Sequence, residues 1–488
     1  MSKLPSVTQG LVSWRTVPVI LEQGSALGQL LRAAMFAQAS RIMWYISTRG
    51  MTPRVDFEGA LFSGYAPDGG LFMPEELPQL DGETLRQWST LSYPGLVKEL
   101  CTLFIGPELI PRDDLNDLIH RAFSRFRHRE VVHLSRLRDG LNVLELWHGA
   151  TYAFKDLSLC CTAQFLQYFL EKRGKHVTVV VGTSGDTGSA AIESVQGAKN
   201  VDIIVLLPKG HCSRIQELQM TTVLRENVHV FGVEGNSDEL DEPIKAVFAD
   251  TAFVRKHNLM SLNSINWSRV LVQMAHYFYA YFQCAPSMDT HPLPAVEVVV
   301  PTGAAGNLAA GCIAQKMGLP LRLVAAVNCN DIIHRTIQQG DFSLSKAVKS
   351  TLASAMDIQV PYNMERIFWL LSNSDCQVTR ALMEQFERTQ SLSLPKELHS
   401  KKEYCERASL VVQRLSAGLQ SFPQPLQRWF DPRPLVRVPH RVQTSPALPT
   451  APLSSVLHRS ACSAPHSGSG EFSHPPALLT VPSAFINK

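Results

Sequence analysis

The lysine at position 155 stands in an unusual setting, within the stretch HGATYAFKDLSL (148–159). Aromatic and aliphatic side chains flank it, namely Tyr152, Phe154 and Leu157. Packing of its stem among them would desolvate the amine, which disfavours the ammonium and frees a nucleophile for Schiff-base chemistry with an aldehyde. The alternative is a surface lysine that keeps its charge in water and pairs with Asp156. This stretch by itself favours the surface alternative.

A first glycine-rich loop, GTSGDTGSAA (182–191), follows an apolar run. Its glycines allow close backbone approach, and free N–H groups at the start of the next helix attract anions. Ser184, Thr187 and Ser189 add hydroxyl donors. The alternative is an ordinary turn with a Ser or Asp helix cap. The loop is not GxGxxG, so a dinucleotide site is disfavoured.

A second loop, PTGAAGNLAAG (301–311), is small, neutral and free of lysine. Such a helix start suits a dianionic phosphate held by backbone N–H groups and the helix dipole. The loop lacks the GKS or GKT ending of a nucleotide-hydrolysing P-loop. Close packing of helix on strand, which also demands small residues, explains the composition equally well.

Both loops belong to an alternation of apolar strands and helices between about residues 136 and 390. The predicted strands are 176–181, 201–208, 227–234, 296–300 and 321–328. Continuous β-branched strands between helices indicate an α/β fold, with parallel sheet covered by helices on both faces. Right-handed crossovers then bring the loops to one edge, where ligands bind. Residues 43–135 are predicted to form a smaller, mainly helical domain.

Composition restricts the function classes. The net charge of the chain is +3, and residues 402–488 carry +5 of it, so the main body is near −2. Neither nucleic acid nor a membrane is expected as a partner. The ten cysteines include no CxxC pair, which argues against a zinc site or a disulfide framework and favours a reducing, cytoplasmic location.

The first 42 residues form an extension with basic side chains and one acid, Glu22. This composition is typical of a mitochondrial transit peptide, and the alternative is a leader without fixed structure. Residues 402–488 are rich in proline and serine. Strand–helix alternation stops there, and we expect disorder.

Several motifs resemble the threonine synthase family, and most closely its animal threonine synthase-like branch. The resemblance runs from about residue 43 to residue 401. The motifs that carry it are MWYISTRG (43–50), FSGYAPDGGLFMPE (62–75), HGATYAFKDLSL, TSGDTG, NVHVFGVEGNSDELDEPIK (227–245), LNSINWSR (262–269), PTGAAGN and AMDIQVPYNMER (355–366). The resemblance implies a pyridoxal-phosphate enzyme of fold type II, similar to the tryptophan synthase β subunit.

The same resemblance implies roles for individual residues. Lys155 would bind the aldehyde of pyridoxal 5′-phosphate covalently, and Asp186 would face its 3′-oxygen. The implied cofactor-binding set is Lys155, Phe154, Asp186, Gly303, Ala304, Ala305, Gly306 and Asn307. The implied substrate-binding set is Thr183, Ser184, Gly185, Thr187, Asn266 and Arg269. For Arg269, a surface salt bridge is the alternative to an anion-binding role.

The resemblance also limits the reaction. The animal branch is linked to a phospho-lyase that converts phosphorylated four-carbon amino acids to a keto acid, ammonia and phosphate. Threonine synthase activity, and a catalytically inactive variant that acts as a binding protein, remain alternatives. A dehydratase of the same fold is disfavoured by the SINW and AMDIQVP stretches. We also expect the chain to form a homodimer.

The sequence departs from the family pattern in two places. Family members usually have GNFGN where this chain has GAAGN (303–307), so an asparagine side chain is lost while the backbone donors remain. After residue 401 the family's C-terminal region, including a CPH-S/T-A motif, is replaced by the proline-rich segment. We expect an alternative splice product or a frame change, with part of the large domain left uncovered.

Overall fold

The computed structural model describes residues 42–399 and 410–414; for Asp139, Ser237, His399 and 410–414 it describes the backbone only. The expectations for residues 1–41 and for the remainder of the proline-rich segment lie outside the described residues. Among the described helices, none combines the length and the apolar character needed to cross a lipid bilayer.

The region before residue 135 contains helices around a small antiparallel sheet. Its elements are the strands Tyr45–Ser47 (β1) and Phe72–Pro74 (β2) and the helices Phe57–Ser63 (α1), Gly82–Trp88 (α2), Tyr93–Phe104 (α3) and Arg112–Phe123 (α4). Polar caps start several of these helices; Ser92, for example, accepts a hydrogen bond from the Gly95 N–H at the start of α3. The helices α3 and α4 agree with the mainly helical character predicted for this region.

A four-stranded parallel sheet forms the first half of the larger region. Its strands are Val177–Gly182 (β5), Val201–Pro208 (β6), Val228–Val233 (β7) and Leu259–Met260 (β8), in the order β7-β6-β5-β8. The helices that alternate with these strands are Asp186–Val195 (α6), Arg214–Thr221 (α7), Ser237–Ala249 (α8) and Thr251–His257 (α9). Alternate β-branched side chains of β5 and β6 are fully buried, as the continuous apolar runs predicted.

A second parallel sheet has the order β11-β10-β9. Its strands are Val296–Pro301 (β9), Leu321–Val327 (β10) and Leu410–Arg414 (β11), with the helices Gly306–Lys316 (α11) and Ile332–Gln339 (α12). The prediction that strand–helix alternation ends near residue 401 is wrong for 410–414. This β-branched run, LVVQR, adds a strand parallel to β10.

The remaining helices connect the two sheets and the N-terminal region. They are Lys155–Arg173 (α5), Trp267–Cys284 (α10), Met364–Leu371 (α13), Cys376–Thr389 (α14) and Lys396–His399 (α15), with an antiparallel hairpin of His133–Arg136 (β3) and Asn142–Glu145 (β4). In α10, every side chain from Trp267 to Tyr281 is buried. Helix α10 packs against α3, α5 and α11, so it ties the N-terminal region to the helix that begins with Lys155 and to the helix that follows the second glycine-rich loop.

Candidate active site

A single cavity collects most of the residues that the sequence singled out. It lies at the carboxyl ends of β5 and β9, where ligands bind in parallel α/β sheets. Lys155, the first residue of α5, also contributes to its wall. The predicted site residues that line it are Phe154, Lys155, Thr183, Ser184, Asp186, Thr187, Arg269, Gly303, Ala304, Ala305, Gly306 and Asn307.

Lys155 is buried, with 6% of its surface exposed. Its Nζ donates a hydrogen bond to Asp186 Oδ2 at 2.8 Å and lies 4.4 Å from the centre of the Phe154 ring. The surface alternative, with Asp156 as the partner, is therefore wrong. The Asp156 carboxylate instead accepts hydrogen bonds from Thr151 N and Oγ1, and burial raises the pKa of Asp156 to about 6.

Asp186 holds the lysine directly and is itself fixed by a short chain of hydrogen bonds. Its Oδ1 accepts from Gln216 Nε2 at 2.7 Å, and Gln216 Oε1 in turn accepts from Ser354 Oγ at 3.1 Å. Gly185 makes this approach possible, because its φ is +132° and an added Cβ would lie 2.4 Å from Gln216 Cδ. The amine of Lys155 thus has a fixed proton acceptor beside it, which desolvation of the stem alone would not provide.

The hydroxyls of the first loop have two different tasks. Thr183 Oγ1 accepts from the backbone N–H groups of Gly185 and Gly188, each at 2.9 Å, and so fixes the shape of the loop. Ser184 and Thr187 line the cavity near the start of α6. Of the predicted substrate-binding residues in this loop, Ser184 and Thr187 are therefore better placed than Thr183 to contact a ligand.

The second loop approaches the cavity with backbone rather than side chains. Gly303 packs so tightly that an added Cβ would lie 2.9 Å from Met356 Cα, and Ala305 adopts a left-handed conformation with φ of +60°. Gly306 begins α11, whose first N–H groups have no partner within the helix. Asn307 Oδ1 accepts from Tyr277 OH at 2.7 Å, so its side chain is held by α10.

Arg269 is the cation deepest in the wall of the cavity. Only 2% of its surface is exposed, so the surface salt bridge considered from the sequence is wrong. Its guanidinium donates to the Leu262 carbonyl at 3.0 Å, and its Nε has no hydrogen-bond partner in the described part of the chain. Burial without a carboxylate lowers the pKa of Arg269 to about 10. A buried cation of this kind is a ready site for an anion.

Asn266 lies away from the cavity and caps α10. Its Nδ2 donates to the carbonyls of Leu61 and Ser261, at 2.8 and 3.0 Å. Its Oδ1 accepts from Ser268 N and Oγ at 3.1 and 2.8 Å. With both ends of the amide engaged, Asn266 positions the helix that carries Arg269, and this structure gives it no direct place in substrate binding.

The cavity has a second polar wall that sequence reasoning did not single out. Tyr65, Asp238, Asp241 and Tyr362 form it. The rings of Tyr65 and Tyr362 meet edge to face with centroids 6.2 Å apart, and burial raises the pKa of Asp241 to about 7. All four residues lie in stretches that carried the family resemblance. The motifs therefore marked these positions without indicating that their side chains line the cavity.

The donors around this cavity fit pyridoxal phosphate. Lys155 would supply an amine for the aldehyde, the small loop at the start of α11 would supply N–H groups for the phosphate, and Asp186 would supply an anchored carboxylate. The Nε of Arg269 is a buried donor without a hydrogen-bond partner among the described residues.

Comparisons with known proteins agree with this geometry. The family model for the threonine synthase N terminus matches residues 44–123, and the model for pyridoxal-phosphate dependent enzymes matches residues 129–385. The human protein "Threonine synthase-like 2" is 81% identical over 398 residues, which cover 82% of this chain and 81% of the human protein.

Solved structures show the same fold. The pyridoxal-phosphate-bound threonine synthase of Brucella melitensis is 37% identical, with a TM-score of 0.69 over 76% of this chain and 78% of that one. Yeast threonine synthase is 39% identical, with a TM-score of 0.69 over 78% and 77% of the two chains. The predicted fold type and cofactor are thus confirmed: this chain belongs to the threonine synthase family of pyridoxal-phosphate-dependent enzymes.

Proposed function

We propose that this chain is a phospho-lyase that eliminates phosphate from phosphorylated four-carbon amino acids, namely O-phosphohomoserine and O-phosphothreonine. One water is consumed overall, and 2-oxobutanoate, ammonia and inorganic phosphate are released. The observation that carries the proposal is the buried guanidinium of Arg269, which lines the same cavity as Lys155 and has no carboxylate partner among the described residues.

A buried cation without an anion is costly, because desolvation is not offset by pairing. An anionic substrate would remove that cost on binding. The cavity must accept two phosphates under this proposal, one from the cofactor and one from the substrate. The N–H groups that start α11 suit the first, and Arg269 suits the second.

Pyridoxal phosphate, when bound, supplies an electron sink for negative charge at Cα. Lys155 holds the cofactor and then, once released, moves the proton at Cα through its Nζ. Asp186 orients that Nζ, and Gln216 fixes Asp186 from the other side. Asp186 and Gln216 are therefore positioning residues for the amine of Lys155.

The substrate has a carboxylate at one end and a phosphate at the other, and a different set of donors binds each of them. Ser184 and Thr187, with the start of α6, would bind the carboxylate. Arg269 would stabilise the negative charge that accumulates on the departing phosphate. Cleavage of the carbon–oxygen bond then leaves the bonding electrons on the phosphate oxygen. In O-phosphohomoserine the phosphate departs from Cγ and a proton is removed from Cβ, whereas in O-phosphothreonine the phosphate departs from Cβ after the Cα proton is removed. The released imine takes up one water and gives 2-oxobutanoate and ammonia.

The choice of lyase over synthase rests on the resemblance to the animal threonine synthase-like branch, supported by 81% identity to the human protein. In a synthase, water would add at Cβ and threonine would be the product. The two outcomes share the binding groups described above and differ in the fate of one intermediate, so the products must be measured.

The test uses the full chain loaded with pyridoxal phosphate and supplied with O-phosphohomoserine or O-phosphothreonine. We expect phosphate and 2-oxobutanoate in equal amounts, with no threonine. Release of phosphate and threonine in equal amounts would show that the chain is a synthase and not a lyase. A fully loaded protein that releases no phosphate would overturn both activities in favour of a binding protein.

Two variants locate the chemistry. Lys155→Ala should abolish phosphate release and the label that borohydride reduction leaves on residue 155. Arg269→Gln should raise KM at least about tenfold through loss of a charged hydrogen bond. The matched control is Arg322→Gln, because Arg322 is an exposed arginine on β10 paired with Glu297. It should leave KM unchanged.

A further inference from the structure

A cluster of imidazoles and carboxylates lies outside the cavity, where the chain enters the β3–β4 hairpin. His128, Glu130 and His133 each offer one ligand atom, and these atoms lie within 4.8 Å of one another. All three side chains are partly exposed, so an ion could reach them from solvent. None of them lines the cavity that contains Lys155.

The distances within the cluster are close to those of a metal site. His133 Nδ1 and Glu130 Oε2 are 3.0 Å apart and share a proton in this structure. Two ligands of a tetrahedral zinc ion, each about 2.0–2.1 Å from the metal, are roughly 3.3 Å apart. Replacing the shared proton by a metal ion therefore requires only small movements. The Glu130 N–H donates weakly to His128 Nδ1 at 3.3 Å, which brings the third ligand to the same place.

A second imidazole–carboxylate pair supports the first. His148 Nε2 and Glu145 Oε2 are 2.9 Å apart, and the Glu145 carboxylate also accepts from Ser135 Oγ. The His128 ring lies between the rings of His133 and His148, with centroid distances of 5.0 and 4.8 Å. This packing of rings limits the orientations that the His128 imidazole can adopt.

Three nearby arginines would oppose a cation if they pointed into the cluster. Arg127 instead stacks over the Tyr152 ring at 4.4 Å, and Arg125 pairs with Glu193 at 3.8 Å. The Arg129 side chain is 89% exposed, and its guanidinium is 4.0 Å from Glu130. Of these three arginines only the solvated Arg129 touches the cluster, so its opposing charge is screened.

We infer that His128, Glu130 and His133 bind a divalent transition-metal ion of the zinc class. Two imidazole nitrogens and one carboxylate oxygen suit that ion and leave a coordination position for water. The site would be separate from the pyridoxal-phosphate cavity, and it lies on the segment that leads, through His148, into the HGATYAFKD stretch.

The test uses tag-free, pyridoxal-phosphate-loaded full chain titrated with Zn²⁺ by calorimetry and with Co²⁺ by visible absorption. Wild type should bind one ion that His133→Gln and Glu130→Gln each weaken at least about tenfold. The matched control is His176→Gln, since His176 forms a similar surface pair with Asp202 at 3.1 Å outside the cluster. This control should bind like wild type.

Electron paramagnetic resonance of bound Cu²⁺ gives a readout that a purely structural role would not change. Nitrogen coupling should fall from two imidazoles to one in His133→Gln. Thermal melts in EDTA check that each variant is folded. If the cluster variants bind Zn²⁺ as tightly as wild type, or if His176→Gln weakens binding as much as they do, the inference is wrong. Phosphate release is not used in this test, so its outcome is independent of the proposed reaction.

Discussion

The two glycine-rich loops occupy the same topological place and are built in opposite ways. The loop after β5 is organised by side chains: Thr183 Oγ1 accepts from two backbone N–H groups, and Asp186 bridges Lys155 and Gln216. The loop after β9 is organised by backbone, with Gly303 packed on Met356. One loop therefore positions a reactive amine, and the other offers a small concave surface with free N–H groups.

This difference explains which substitutions each loop should tolerate. Changes of side-chain chemistry should damage the first loop, because its geometry depends on particular oxygen atoms. Added side-chain size should damage the second, because its geometry depends on close approach of main chain. Three substitutions test this difference, one in the first loop and two in the second.

The largest effect is expected for Asp186→Asn. The amide keeps one acceptor oxygen but turns a donor towards either Lys155 Nζ or Gln216 Nε2, so the amine loses its fixed acceptor. The rate of phosphate release should fall about 100-fold, as for loss of a positioned proton-transfer group. Asp202→Asn, which alters an exposed pair with His176, is the control and should keep full activity. A rate within threefold of wild type would show that the pair is not functional.

A smaller effect is expected for Gly303→Ala. The new Cβ would lie 2.9 Å from Met356 Cα and 3.2 Å from its carbonyl oxygen, and backbone cannot move aside as easily as a side chain. We expect about 1–3 kcal/mol less stability by chemical denaturation and weaker cofactor binding.

Gly82→Ala is the control for size at a glycine, since its Cβ would meet nothing closer than 3.8 Å. It should leave cofactor affinity unchanged and be at least as stable as wild type, because Gly82 lies in a helix where alanine is well tolerated. Full cofactor affinity in Gly303→Ala would contradict the close-packing account of the second loop.

The smallest effect is expected for Ala305→Gly. Ala305 has a φ of +60°, a conformation that costs a residue with a Cβ about 1–2 kcal/mol. Glycine removes that cost but gains unfolded-state entropy, so a net stabilisation of about 0.5–1 kcal/mol is expected. The melting temperature measures it. A destabilised variant would indicate that the Ala305 methyl group packs favourably enough to outweigh its backbone strain.

The corrections at Lys155 and in the LNSINWSR motif share one cause. Neighbouring residues on a helix differ by about 100° in direction, so Asp156, although adjacent to Lys155, faces Thr151. The actual partner, Asp186, is 31 positions away in sequence. Asn266 and Arg269 lie three positions apart in one motif, yet the first caps the helix and the second faces the cavity. A motif identifies important positions without assigning their directions.

The sequence by itself determined the alternation of strands and helices, the two small-residue loops and the lysine, because local periodicity and glycine content act over a few residues. The tertiary structure alone decided which carboxylate meets that lysine, which buried arginine lines the cavity and which tyrosines close it. Those choices depend on contacts between elements far apart in the chain, and they follow from the way two parallel sheets and the central helix α10 pack together.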